Sequence, residues 1–297
     1  MSYSNAISRL PFGGGAAVLR QPAGDFDRRA LFKAFGSAVD RLEGRFIATA
    51  GTGTSASDIA WASTWSRKNT IAVRQSVAAS SFWTAFGALE GMKACVEFLY
   101  GSSLAGFKVI VLGVAHVGAE LCRMLAKAEA NVVIADLDRS RARSIARETG
   151  GQVVDVTEIG KVDAQVFAPC SPGIAFDSAF VHGVRARIVC GAGNEQPVSY
   201  EVADQMKARG LVYAPDYVVN VGGIISLAAG CLGESEDQVR RRVMAIGPLV
   251  REILDLSENE GCSSTAAADK LAETIMKNVD VTGATFPAPV EMDEAPL

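Results

Sequence analysis

The sequence predicts an α/β protein whose main sheet is parallel and covered by helices on both faces. From residue 107 onward, short apolar runs alternate with segments that have helical spacing, and each run is predominantly apolar. Strands that are buried on both faces have this composition, and parallel strands need helical crossovers between them. The length of 297 residues favours two domains and is ample for a sizeable core.

The elements of this pattern follow one another closely. The predicted strands cover 107–112, 132–135, 164–168, 188–190 and 212–214. Predicted helices cover 116–128 and 139–148, and the chain after Gly223 has helical character to about residue 277. The tail from residue 282 is rich in proline and acidic residues, which predicts disorder.

The first 100 residues follow a different pattern. Apolar residues recur at helical spacing between 28 and 42, and Gly44 is a plausible end for that helix. Residues 45–49 are predicted to form a short strand. A helix over 84–100, ended by Gly101, would then link this region to the strand-rich part of the chain.

Composition excludes several classes of protein. The net charge of −4 provides no basic surface for nucleic acid. The apolar runs are far shorter than the roughly 20 residues of a membrane helix, and no signal peptide is visible, so we expect a soluble cytoplasmic protein. The six cysteines are scattered, which indicates reduced thiols and no metal site.

A glycine-rich turn follows the first strand of the alternating region. It has a GxGxxG pattern with alanine at the middle position, and it reads Gly113-Val114-Ala115-His116-Val117-Gly118. In this pattern the first glycine allows a tight turn, the middle one lets the backbone approach a pyrophosphate, and the third lets helix and strand pack closely. The N–H groups of the following helix would face the phosphates. The turn therefore predicts a dinucleotide site.

An acidic residue supports this prediction. Asp136 follows the second apolar strand, 18 residues after Gly118. A carboxylate there can accept hydrogen bonds from the ribose hydroxyls and repel a 2′-phosphate, which favours NAD over NADP. The alternative is that Asp136 merely caps the next helix, as Asp138 could also do.

Four segments carry a resemblance to a known family. They are Met1–Ala6, Gly13–Gly15, Gly51–Thr54 and Ala214–Gly223, the last reading Ala-Pro-Asp-Tyr-Val-Val-Asn-Val-Gly-Gly. Together they resemble the leucine/phenylalanine/valine branch of the NAD-dependent amino-acid dehydrogenases, over nearly the whole chain to about residue 277.

The resemblance implies an architecture. We expect an N-terminal α/β substrate and oligomerisation domain over 1–83, a doubly wound Rossmann-type NAD-binding domain over 84–230, C-terminal helices over 231–280 and a disordered tail over 281–297. Met1 aligns with a position inside family chains, so we expect either a start that is assigned too late or a first domain that is shortened. The resemblance also implies a homo-oligomer.

The resemblance implies further cofactor-binding residues. Thr84 aligns with the family's threonine at the nicotinamide, although Phe82 replaces the preceding proline. Asn194 is expected near the nicotinamide and the substrate, and Asn220 at the nicotinamide carboxamide or the substrate cleft. The alternative for both asparagines is an ordinary turn or capping role.

The catalytic positions depart from the family. The resemblance places a lysine that pairs with the substrate carboxylate at Ser4, a lysine that activates water at Ala16, and an aspartate that shuttles protons at Gly51. None of these three residues can perform general acid/base catalysis near neutral pH. Candidate replacements, which could equally be solvated charges or turn caps, are Arg9, Arg20, Arg74, His116 and Asp58.

Three hypotheses follow. The first is an NAD-dependent oxidoreductase of this family with altered chemistry, acting on an apolar amino acid, a 2-oxo acid or a preformed imine. The second is a catalytically inactive NAD(H)-binding homologue that acts as a regulatory or assembly subunit. The third is an ordinary amino-acid dehydrogenase in which other groups replace the missing ones.

Overall fold

The computed structural model describes residues 1–51, 53–66, 77–171, 176–193 and 199–278. These residues form two compact units. The first comprises residues 1–13 and most of the chain from 77 to 278, whereas the second comprises 14–66 and 227–235.

Helices make up most of the described chain. They are α1 (Ser2–Ile7), α2 (Arg28–Asp40), α3 (Ala56–Ser63), α4 (Val77–Tyr100), α5 (His116–Lys127), α6 (Arg139–Thr149), α7 (Ser178–Gly183), α8 (Tyr200–Ala208), α9 (Asp216–Val219), α10 (Gly222–Leu232), α11 (Glu236–Met244), α12 (Ile246–Glu260) and α13 (Ser264–Asn278), with a 3-10 helix at Val156–Lys161. No helix in the described ranges is long and apolar enough to span a membrane.

The first unit contains a six-stranded parallel sheet. Its strands are β1 (Lys108–Leu112), β2 (Asn131–Ala135), β3 (Gln152–Val153), β4 (Val166–Pro169), β5 (Ile188–Val189) and β6 (Val212–Tyr213), in the order β3-β2-β1-β4-β5-β6. At its centre Val109 pairs with Val132 on one side and Val166 on the other. The sheet has its apolar residues buried by the surrounding helices, so the predicted α/β class is confirmed.

Helix α4 begins at Val77, seven residues before the predicted start. The added segment contains no proline or glycine, so nothing in its composition ends the helix. Two glycines further along give α4 a close fit to its neighbours. A Cβ on Gly87 would lie 2.7 Å from the Val219 carbonyl oxygen, and one on Gly91 would lie 2.5 Å from Val219 Cγ1. Both glycines therefore let α4 pack directly against α9.

The second unit is built around α2 and α3. Gly36 lies against Ala62, where a Cβ would come within 2.1 Å of the Ala62 carbonyl oxygen. Residues 45–49 do not form the predicted strand. Only Ala48 makes an isolated bridge, because Ala48 is buried in a small core with Ile59 and Ala62 instead of lying in a ladder of strands. The described residues of this unit contain no strand.

Candidate functional site

The order of the strands reverses between β1 and β4, which lie side by side at the centre of the sheet. In doubly wound sheets, ligands bind at the carboxyl ends of the strands at such a switch point. Gly113 follows β1, and Cys170 and Ser171 follow β4, so these two turns meet there.

The glycine turn has the geometry that its sequence predicts. Gly113 has φ +90°, and a Cβ on it would lie 2.7 Å from Ser171 Cβ. A Cβ on Gly118 would lie only 1.9 Å from the Gly113 carbonyl oxygen. Ala115 has φ −67°, which an L-residue adopts readily, and it is exposed. The chain therefore keeps glycine where the backbone requires it, and the middle position tolerates alanine.

Helix α5 begins directly at this turn. Ala115 occupies the N-cap and has no side chain that could accept a hydrogen bond, and His116 and Val117 form the start of the first turn. A helix N-terminus without such a cap offers its N–H groups and its positive dipole end to an anion. The residues present thus fit the diphosphate of a dinucleotide.

Asp136 lies at the end of β2, next to the glycine turn. It accepts hydrogen bonds from the backbone N–H groups of Val114 at 2.7 Å and Asp138 at 2.8 Å. Asp138 caps α6 by accepting from the N–H groups of Ser140 and Arg141, so Asp136 is not the capping residue. The capping alternative for Asp136 is therefore excluded, and ribose recognition by its carboxylate stays a prediction.

Sequence reasoning missed a partner of this carboxylate. Arg141 Nη2 donates to Asp136 Oδ1 at 2.9 Å, and Arg141 Nε lies 3.4 Å from Oδ2. Burial opposes ionisation of Asp136, but the hydrogen bonds from Arg141, Val114 and Asp138 outweigh it and hold its pKa below the usual value. The sequence holds only a weak signal of this pair: Arg141 falls near the start of α6, five residues after Asp136, but spacing does not define side-chain direction.

The structure brings Thr84 close to the segment that contains Asn220. A Cβ on Gly223 would lie 2.5 Å from Thr84 Oγ1, so threonine and glycine are in direct contact. Asn220 is partly buried at the C-cap of α9, where its N–H donates to the Asp216 carbonyl at 2.9 Å. Contact of either residue with a cofactor stays a prediction. Asn194 lies outside the described residues.

The α9 segment is held from the side by α13. The Tyr217 hydroxyl donates to Asp269 at 2.6 Å, and the Ser264 hydroxyl donates to the Tyr213 carbonyl oxygen at 2.6 Å. Helix α1, which carries Ser4, packs against both α9 and α13. Its Tyr3 hydroxyl donates to Glu273 at 2.9 Å. These contacts position Ser4 and Asn220 within one unit.

The three positions that the resemblance assigns to catalysis have different surroundings. Ser4 is buried in α1, with 5% of its surface exposed. Ala16 and Gly51 are exposed and belong to the second unit. The Gly51 N–H donates to Thr54 Oγ1 at 2.8 Å, and a Cβ on Gly51 would meet no atom within 4 Å.

Asp58, one candidate replacement for the missing acid, has a structural role. Its fully buried carboxylate forms the capping box of α3 with Ser55 and accepts two hydrogen bonds from Arg28 at 2.8 Å each. Another candidate, His116, lies at the glycine turn, and Arg74 lies outside the described residues.

The chain is similar to known proteins over most of its length. Leucine dehydrogenase of Thermoactinomyces intermedius is 31% identical over 290 residues, which cover 96% of this chain and 79% of that protein. Valine dehydrogenase of Streptomyces virginiae is 35% identical over 288 residues, which cover 94% and 79%. A scan against protein-family models found no match.

Solved structures agree with these sequence relatives. The crystal structure of L-tryptophan dehydrogenase from Nostoc punctiforme superposes with a TM-score of 0.82 at 30% identity, over 93% of this chain and 80% of that one. A hetero-hexameric glutamate dehydrogenase from Thermus thermophilus has a TM-score of 0.72 at 21% identity and shows the fold alone. The prediction of a Rossmann-type oxidoreductase with NAD as its cofactor is confirmed. The chain belongs to the NAD-dependent amino-acid dehydrogenase family that includes the leucine, valine and L-tryptophan dehydrogenases.

Proposed function

We propose that this chain is an NAD-dependent oxidoreductase that reduces a preformed imine of an apolar amino acid and catalyses ordinary oxidative deamination poorly. The observation that carries the proposal is a contrast between two sets of positions. Gly113, Gly118 and Asp136 retain the geometry of a dinucleotide site. Ser4 and Gly51, where the family resemblance implies a lysine and an aspartate, have no side chain that could exchange a proton near neutral pH.

The two halves of the family reaction need different groups. NAD, when bound, accepts a hydride from the substrate α-carbon or returns one to it. The protein must hold the substrate in line with the cofactor, and it must activate water and move protons to and from the amine. Reduction of a preformed imine in its protonated iminium form needs orientation of the carbon toward the hydride but no water activation, because the nitrogen already carries its proton. A site that lacks the acid/base set can therefore keep hydride transfer while losing water activation.

The expected loss of rate without the acid/base residues supports this separation of imine reduction from deamination. A general acid or base contributes about 10²–10⁴-fold to a rate. Residues that act as one unit are not additive, so absence of the whole set removes most of the catalysis of deamination without multiplying the individual factors. The Ser4 hydroxyl can still donate a hydrogen bond to a substrate carboxylate, but it brings no charge.

The substrate class follows from the relatives. The related dehydrogenases are named after leucine, valine and tryptophan, which all have apolar side chains. We therefore infer an apolar side chain on the amino acid, 2-oxo acid or imine used by this chain.

The test compares two kinds of substrate on folded protein. Consumption of NADH is followed by absorbance, first with ammonia and branched or aromatic 2-oxo acids, and then with a preformed cyclic imine carboxylate such as 1-piperideine-2-carboxylate. We expect turnover of the imine and little turnover with ammonia. Equal or faster turnover with ammonia would overturn the inference from the missing acid/base set. NADH binding without turnover of any substrate would replace the proposal by a regulatory or assembly subunit.

A gain-of-function variant gives a second test. The triple substitution Ser4→Lys, Ala16→Lys and Gly51→Asp restores the implied set and is expected to raise the rate with ammonia and a 2-oxo acid by about 10²-fold or more. The matched control Ser4→Met, Ala16→Met and Gly51→Asn adds similar volume without the titratable groups. Equal rates in the two variants would contradict the assigned roles.

A further inference from the structure

Arg141 occupies the face of Asp136 that would recognise the cofactor ribose. The Asp136 carboxylate accepts from Val114 N–H, Asp138 N–H and two nitrogens of Arg141. A carboxylate has about four acceptor positions on its two oxygens. In the described structure all four are engaged, so ribose hydroxyls would have to compete with Arg141 for Asp136.

The same contact changes the charge at this position. A free carboxylate beside the 2′-position repels a phosphate and favours NAD, whereas a nearby arginine accommodates the 2′-phosphate of NADP. Asp136 is buried, with 6% of its side chain exposed, whereas 44% of the Arg141 side chain is exposed. The buried negative charge of Asp136 is thus paired, and the groups that face solvent are the guanidinium and the half-exposed carboxylate of Asp138.

The surrounding helix adds to the positive charge. Between residues 136 and 147 the sequence contains Asp136, Asp138 and four arginines, at positions 139, 141, 143 and 147, and Asp155 pairs with Arg139. An arginine guanidinium presents five donors in a planar fork that matches phosphate oxygens. Arg141 uses Nε and Nη2 on Asp136, and its Nη1 lies 3.8 Å from Asp138 Oδ2, so a 2′-phosphate would have to displace that longer contact to bind the guanidinium.

We propose that Arg141 is a specificity-determining residue that lets the adenosine site of this chain bind a 2′-phosphorylated dinucleotide, NADP(H), alongside NAD(H). The proposal rests on the cofactor site of the proposed function but not on its chemistry, because it concerns binding alone. A Rossmann site with Asp136 and no arginine would reject the 2′-phosphate; here the carboxylate is neutralised by its partner.

The test measures binding of adenosine fragments to the full chain by calorimetry. Adenosine 5′-monophosphate and adenosine 2′,5′-bisphosphate differ only in the 2′-phosphate, so the ratio of their dissociation constants isolates it. We expect the wild type to bind the bisphosphate at least as tightly as the monophosphate. Arg141→Ala should weaken binding of the bisphosphate about tenfold or more, which is the order of one charge-assisted pair, while leaving or improving that of the monophosphate.

Two further variants separate this role from general effects. Arg143→Ala removes the same charge from the same exposed helix and should leave the ratio nearly unchanged. Arg141→Lys keeps the charge but loses the fork, so it should fall between wild type and Arg141→Ala. A wild type that prefers the monophosphate tenfold or more would overturn the proposal, as would an unchanged ratio in a folded Arg141→Ala variant. Neither result depends on which substrate is turned over.

Discussion

Replacing Asp58 should destabilise the second unit while leaving the dinucleotide turn intact. The Asp58 carboxylate is fully buried and accepts four hydrogen bonds, two from Arg28 and two from Ser55, at 2.7–2.8 Å. It joins the start of α2 to the start of α3. In addition, Arg28 donates to the carbonyl oxygen of Gly53, two residues after Gly51, at 2.8 Å.

The size of the effect follows from the burial of the two partners. Removing one partner of a fully buried ion pair costs about 3–5 kcal/mol. Arg28 is 43% exposed and can be hydrated once Asp58 is gone, so that figure must be discounted. Asp58 is the N3 residue of the α3 capping box, and loss of its hydrogen bonds with the N-cap Ser55 adds about 0.5–1.5 kcal/mol. We therefore expect Asp58→Ala to lower the free energy of unfolding by about 2–3 kcal/mol, and Asp58→Asn by less because the amide oxygen can still accept from Ser55.

The measurement is urea unfolding followed by tryptophan fluorescence, since Trp61 and Trp65 lie in and beside α3. Asp25→Ala removes an exposed acidic residue of the same unit and serves as the charge control. NADH affinity, measured on the same proteins, should change little. A loss below about 0.5 kcal/mol, the usual range for surface substitutions, would refute the reasoning.

Lowering the pH should reduce the contribution of Asp58 to the free energy of unfolding. Hydrogen bonds from Arg28 outweigh the effect of burial and, with those from Ser55, hold the pKa of Asp58 well below its usual value. A depressed native pKa means that the stabilisation is complete above the unfolded value of about 3.9 and is lost as the pH falls below it. The gap in stability between wild type and Asp58→Asn should therefore be constant near neutral pH and narrow below about pH 4. A gap that widened on acidification would contradict this assignment.

Two glycine substitutions test the packing around the cofactor site. Gly118→Ala places a Cβ 1.9 Å from the Gly113 carbonyl oxygen and should weaken NADH binding by tenfold or more in a fluorescence titration. Gly222→Ala places a Cβ 1.9 Å from the Trp83 carbonyl oxygen, which forces α4 and α10 apart and should cost about 1–3 kcal/mol in thermal unfolding. Gly183→Ala, with open space around its Cβ, is the control, and an equal loss there would remove the steric explanation.

The sheet could be predicted because its strands are buried on both faces. Strands such as β1 and β2 are continuous apolar runs, and their apolar composition alone indicates a parallel sheet. Strand β3 was missed because, unlike the equally short β5 and β6, it is not a buried apolar run: Gln152 is exposed, and β3 lies at the edge of the sheet, where it pairs with β2 alone. The strand predicted at residues 45–49 is absent for a different reason. The apolar residues of this segment pack in a core between α2 and α3.

The candidate site could be predicted only in part. The glycine turn and Asp136 were visible because their function depends on backbone geometry and on spacing from a strand. Arg141 was missed because an ion pair between a strand end and the next helix depends on side-chain direction, which spacing does not define. Likewise, the sequence left open which of Asp136 and Asp138 caps α6, and the hydrogen bonds decide it.

The departures from the expected patterns that the sequence analysis predicts at Ala115 and Gly51 have a shared physical feature. At both positions the backbone leaves a choice of residue, because Ala115 has a negative φ and a Cβ on Gly51 would meet only open space. By contrast, Gly113 and Gly118 have no such choice. The backbone at Gly51 thus leaves room for a Cβ, so the described structure gives no steric reason for the replacement that the family resemblance implies. This agrees with the proposal that the difference from the family lies in the reaction and not in the architecture.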